Sequence, residues 1–227
     1  MNAEQILRKV TADAERVAAQ ADRAWAAADL ACWAEKKASD EYRELKRLAD
    51  LARADANYEP NGINESEAAC AEKIANSAEY YRRKTEEAAE RAQEYAIEVN
   101  YSPLTPDEAD ANADKAEHAA EEAVYWAVQI RATANHSGEY EQPTAKDLAQ
   151  AARALDAEHA AEEAEKIATR AEDLAGDEGE EAEHWAAEAD DAKKQAAEAA
   201  KAGNATAARQ HCADAKHALR QIELIAD

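Results

Sequence analysis

The chain has 227 residues, 50 acidic against 27 basic, and a formal net charge of −23. Sixty-five residues are alanine, 24 are Leu, Ile or Val and none is Phe, so the bulky core of a sandwich, barrel or Rossmann sheet cannot be assembled. Low aliphatic content with high charge ordinarily marks disorder. Alanine, however, is the strongest helix former, and the few large side chains recur with helical period. The expectation is an all-α protein, an elongated, alanine-rich antiparallel helical bundle of about six helices with coiled-coil-like seams.

The first segment, about residues 3 to 56, contains neither Gly nor Pro. Leu7, Val10, Ala14, Val17, Ala21, Ala24, Ala28, Ala31, Glu35, Ala38, Tyr42, Leu45, Ala49 and Ala52 follow an unbroken 3,4 spacing, which is a heptad seam. Ser39 and Asp40 offer a second helix start, so the sequence leaves a continuous and a bent form both open. The stretch from Asn57 to Gly62 reads as a loop, and Asn64 with Glu67 three residues later reads as the cap of a second helix reaching about Val99. Its seam is Ala71, Ile74, Ala78, Tyr81, Thr85, Ala88, Ala92, Tyr95 and Val99.

Thr105-Pro106-Asp107-Glu108 combines a cap, a first-turn proline and a capping-box glutamate, which is the strongest helix start in the chain. The third helix then runs to about Ala134 and ends in Asn135-His136-Ser137-Gly138. Thr144 with Asp147 opens the fourth, which stops at Gly176. The fifth runs from about Gly179 to Ala202 and stops at Gly203, and the sixth occupies about 205 to 226. Such short connections predict antiparallel neighbours. Residues 1–102 are expected to form a long helical hairpin and 103–227 a helical bundle, with one continuous domain as the alternative. Trp25, Trp33, Trp126 and Trp185 are expected to anchor the core.

Cys32, Cys70 and Cys212 are odd in number and carry no CxxC spacing, which argues against a disulfide framework. No run of 18 apolar residues occurs and the amino terminus lacks the pattern of a signal peptide, so the expected compartment is cytoplasmic. No phosphate-loop, dinucleotide, zincin or nucleophile-elbow motif occurs. The expectation is a non-enzyme with no cofactor.

Ala-Glu-His-Ala-Ala-Glu-Glu-Ala occurs identically at 116–123 and 157–164, and 182–189 matches six of eight positions. His118, His159 and His184 each precede a glutamate by four residues (Glu122, Glu163, Glu188), on one helical face. Helical di-iron sites use two Glu-x-x-His units plus further glutamates, and here only Glu181 with His184 has that spacing, so these repeats read as exposed His and Glu pairs rather than a metal site. His211, Cys212 and His217 form a second, weaker metal candidate. Tyr80-Tyr81-Arg82-Arg83-Lys84 joins aromatics to base, but Arg82 and Arg83 precede Glu86 and Glu87 by four residues, which predicts local ion pairs.

Charge placement carries the functional reading. Residues 1–100 hold −6, 101–156 hold −7, 157–191 hold −12 and 192–227 hold +2. Glu158, Glu162, Glu165 and Glu172 follow a 4,3 progression on the fourth helix, interrupted only at Thr169, and Glu181, His184, Glu188 and Asp191 do so on the fifth. Like charges at this spacing cost helix stability. Such rails suit a basic protein partner, one that binds nucleic acid and whose groove the rails would occupy as a nucleic-acid mimic. Direct contact with nucleic acid or an anionic membrane is electrostatically opposed. Phage-encoded inhibitors of restriction or CRISPR systems are similar in being compact, acidic and free of catalytic motifs. The alternative is a structural coiled-coil scaffold that self-associates through its seams.

Overall fold

The structure, a computed structural model, describes residues 3–135, 143–176 and 179–226. Among the described residues it holds six α-helices and no strand: α1 (Ala3–Tyr58), α2 (Gly62–Tyr101), α3 (Pro106–Ala134), α4 (Ala145–Ala175), α5 (Glu180–Lys201) and α6 (Ala205–Ala226). None is long and apolar enough to cross a membrane. His136, Ser137 and Gly138, read above as the close of the third helix, lie outside the described residues.

Contacts divide the chain into two units, Met1–Leu148 and Ala149–Asp227. This differs from the division expected after residue 102, because α3 packs on both α1 and α2. The alanine seams give the physical reason. Ala109, Ala113, Ala116, Ala120, Ala123 and Ala127 are buried on α3, and such small side chains let three helix axes approach closely. Large residues would have held them apart.

In the first unit α1 is unbroken for 56 residues, about 84 Å at 1.5 Å per residue. The internal start at Ser39 and Asp40 is not used. Cross-helix pairs fix the register: Arg53 donates to both carboxylate oxygens of Glu72 at 2.6 Å, so α2 runs antiparallel to α1. Arg16 with Asp107 at 3.5 Å and Arg23 with Asp114 at 2.9 Å place α3 parallel to α1.

The caps mostly follow the sequence. Thr105 and Glu108 form the full capping box, and Thr144 pairs reciprocally with Asp147. The second helix is the exception. Asn61, not Asn64, is its cap, with Oδ1 accepting from the backbone N–H of Ile63 and Asn64 at 3.0 and 2.9 Å. Asn64 already lies in the first turn, and its amide instead donates to the Glu59 carbonyl at 2.9 Å. Gly203, at φ 67, takes the left-handed turn between α5 and α6, after which Asn204 caps α6 through the Ala207 N–H.

The tryptophans depart from expectation. Only Trp33 is buried; Trp126 and Trp185 are half-buried and Trp25 is exposed. An alanine-lined interior leaves little room for an indole, so three of the four sit at helix edges. Trp126 there stacks on Tyr81 and meets Tyr80 and Tyr125 edge-on.

In the second unit, α4, α5 and α6 surround two alanine-rich clusters. One centres on Ala157, Ala160, Ala164, Ala196, Ala208 and Cys212, the other on Ala171, Ala182, Ala189, Leu219 and Ile222.

Candidate functional site

Three ion pairs at heptad intervals join α4 to α6. Asp156 accepts from Arg209 through both oxygens, Glu163 pairs with Lys216 at 2.7 Å, and Arg170 pairs with Glu223 at 2.9 Å. Each rung is seven residues from the next on both helices, so α4 and α6 run parallel and present these residues to one another. Around the middle rung the groove is lined by Asp156, His159, Glu163, Arg209, Cys212 and Lys216.

The chemistry of this groove is that of a closed polar contact. Cys212 donates its thiol proton to Glu163 at 3.4 Å. Burial, then the Glu163 charge and hydrogen bond, push the thiol up to about 11. Burial would also raise the Glu163 carboxyl, but the Lys216 ammonium outweighs it and holds the group below the usual carboxylate range. His159 is held below its ordinary value, chiefly because it is buried.

The acidic rails lie elsewhere. On α4, Glu158 and Glu162 are half-buried, while Glu165 and Glu172 are exposed. Glu158, Glu165 and Glu172 sit about 160°, and Glu162 about 100°, around the helix from the nearest residue of α4 that pairs with α6, at 100° per residue. On α5, Glu181, Glu188 and Asp191 are exposed, and the last two face α6 across a cavity of about 310 Å³ shared with Trp185, His211, Asp214 and His217. The two rails therefore occupy different flanks of the three-helix unit rather than one continuous ridge. Among the described residues, Asp191 has an ion-pair partner in Lys194 at 3.3 Å. Glu165, Glu172, Glu181 and Glu188 have none among those residues.

The three His and Glu repeats face three different surroundings. His118 is exposed beside Glu121, in a groove between α2 and α3 with Arg91 and Tyr95. His159 lies between α4 and α6, and His184 is exposed beside Trp185 on α5. Their glutamates diverge likewise: Glu122 pairs with Arg91 at 2.7 Å and Glu163 with Lys216. The second candidate set also splits. His211 and His217 line the α5 side of α6, whereas Cys212 points to α4. Among the described residues no three His, Cys, Asp or Glu side chains are placed to hold a metal ion.

The basic run on α2 is paired locally. Arg82 meets Glu86 at 3.0 Å and Lys84 meets Glu87 at 2.6 Å, while Arg83 turns back to Glu79 at 2.7 Å rather than forward to Glu87. The heptad ladder between α4 and α6 was missed by sequence reasoning. Its signal was present, since opposite charges recur every seven residues at 156, 163, 170 and at 209, 216, 223, but the register that pairs them was not.

The chain matches no protein-family model, no curated protein and no solved structure.

Proposed function

We propose that this protein is a non-enzymatic acidic helical binding protein whose α4 and α5 carboxylates occupy a basic, nucleic-acid-binding groove on a partner protein. One observation supports this reading: Glu165, Glu172, Glu181 and Glu188 stand exposed without an ion-pair partner among the described residues, within a stretch of 35 residues carrying −12 of the net charge of −23. Exposed like charges raise the energy of the free protein, and a cationic partner relieves that cost while steering association. Because the rails lie on two flanks, the partner is one that reaches around the second unit or engages one rail at a time.

The test uses the full chain as bait in extracts of its native cell, alongside a variant with Glu158, Glu162, Glu165, Glu172, Glu181, Glu188 and Asp191 reversed to Lys. The wild type is expected to retain a basic nucleic-acid-binding protein that added nucleic acid displaces and that the variant no longer holds. Retention of the same partner by the variant with unchanged affinity overturns the reading.

A further inference from the structure

The octapeptide repeat coincides with the grooves between helices. The fourth and seventh residues of every copy line one: Ala119 and Glu122 between α2 and α3, Ala160 and Glu163 between α4 and α6, Trp185 and Glu188 between α5 and α6. In the first two grooves the glutamate receives a cation from the facing helix. Arg91 reaches Glu122 at 2.7 Å, and Lys216 reaches Glu163 at 2.7 Å.

The third groove lacks that cation. Trp185 meets the His217 ring at right angles, with centroids 5.8 Å apart, and the short turn after Lys201 makes α5 and α6 antiparallel. Three residues further along α5, Glu188 therefore comes level with Asp214, three residues back along α6. A carboxylate stands where the other grooves present an arginine or a lysine. Asp191 adds a third negative charge, and among the described residues no Lys or Arg lines this cavity of about 310 Å³. Lys194 is engaged with Asp190 at 2.7 Å and with Asp191 at 3.3 Å. Asp214 accepts from Gln210 at 3.1 Å and stands 3.4 Å from His211, which is a cation only when protonated. Glu188 is exposed and has no ion-pair partner among the described residues. This copy also carries the half-buried Trp185 where the other two have alanine, so the cavity gains an aromatic wall.

We propose that the cavity between α5 and α6 receives an arginine side chain of the partner protein, whose guanidinium bridges Glu188 and Asp214 and lies against Trp185. The incoming cation takes the part that Arg91 and Lys216 play for the other two copies of the repeat. Arginine fits better than lysine for two reasons. Its planar fork offers donors on more than one edge, so carboxylates on two helices are served at once, and it is weakly hydrated and stacks on an indole. An ammonium is a compact, strongly hydrated charge that does neither as well. The proposal rests on the reading of the α5 carboxylates as a partner-binding rail, and it gives that rail its side-chain chemistry.

Titration of the isotope-labelled full chain with a capped Gly-Arg-Gly peptide, followed by NMR at fixed salt and above pH 7, tests it. The Trp185 indole N–H resonance is expected to shift to saturation while those of Trp25, Trp33 and Trp126 stay in place, and the matching Gly-Lys-Gly peptide should bind more weakly. Asp214→Asn is expected to weaken binding about tenfold, as loss of a hydrogen bond to a charged group does. Asp173→Asn removes the same charge from an exposed site on α4 and should change binding by about twofold or less. Asp214→Arg places a cation opposite Glu188 within the chain and should abolish the shift with circular dichroism unchanged. Should that variant fail to fold, Asp214→Asn against Asp173→Asn decides. A Trp185 resonance that does not move overturns the proposal, and so does an equal loss in Asp214→Asn and Asp173→Asn, which would mark diffuse attraction to an acidic surface. Asp214 lies outside the seven carboxylates of the rails, so native-cell extracts separate the two readings. A basic partner held fully by Asp214→Asn but lost on reversal of the seven overturns the arginine site and leaves the rails. Peptide binding as described, with no basic partner captured, overturns the rails and leaves the cavity an arginine site.

Discussion

Arg23 of α1 grips Glu117 of α3 at two points, Nε to Oε1 at 2.9 Å and Nη2 to Oε2 at 2.8 Å. The same guanidinium also reaches Asp110, Asp114 and Gln20. Arg23 is nevertheless 39% exposed, while Arg131 and its partner Glu41 are 17% and 22% exposed. Solvent screening decides between them. Arg23→Met is expected to cost about 1 kcal/mol or less. Arg131→Met should cost more, on the order of 2 kcal/mol, because Glu41 is left desolvated without its cation. Urea unfolding of the two variants checks the order.

The alanine seams should reject larger side chains. Ala92 is fully buried on α2, where close approach of the axes depends on its size, so Ala92→Leu is expected to destabilise the first unit by about 1–3 kcal/mol through overpacking. Ala26→Leu, on the exposed face of α1, should be near neutral, as surface substitutions usually are. Thermal melting of both variants makes the comparison.

Acid should weaken the second unit in two steps. The folded protein holds His159 below its ordinary value of 6.5, so on falling through that range the unfolded chain takes up a proton that the folded one resists. Stability is full above about pH 6.5 and declines below it. Glu163, held below 4.5, adds a further loss at lower pH, as its ion pair with Lys216 is neutralised. His159→Gln is expected to remove the first step and leave the second, as read from unfolding midpoints across the acid range.

Cys212 should resist alkylation. Its thiol, pushed up to about 11 by burial and by Glu163, is thiolate in only about one molecule in a thousand near pH 8, and the thiolate is the nucleophile. Iodoacetamide with mass spectrometry is expected to label Cys212 slowly, and Glu163→Gln should accelerate it by removing the neighbouring charge. A rate that Glu163→Gln leaves unchanged would show that burial alone protects the thiol.

The grooves illustrate how much chemistry depends on register. Identical octapeptides at 116–123 and 157–164 put His118 in solvent and His159 between helices. The octapeptide decides which residues share a helical face; the neighbouring helix decides whether that face is wet, charged or closed.

Helix number, most boundaries and the buried faces from Ala24 onward are determined by the sequence itself. They follow from local physics: alanine propensity, the Thr105 and Thr144 caps, the turn at Gly203 and the 3,4 spacing of apolar residues. What only the tertiary structure decided is relative placement: α3 against α1 and α2, the rungs that join α4 to α6, the two flanks taken by the acidic rails, and the exposure of seam residues such as Leu7 and Val10. A small, uniform alanine seam is compatible with many registers, because one alanine fits a neighbour's groove nearly as well as the next. The choice among them rests on a few long-range ion pairs and end positions, whose energies depend on which helix lies opposite and are therefore not encoded in any local pattern.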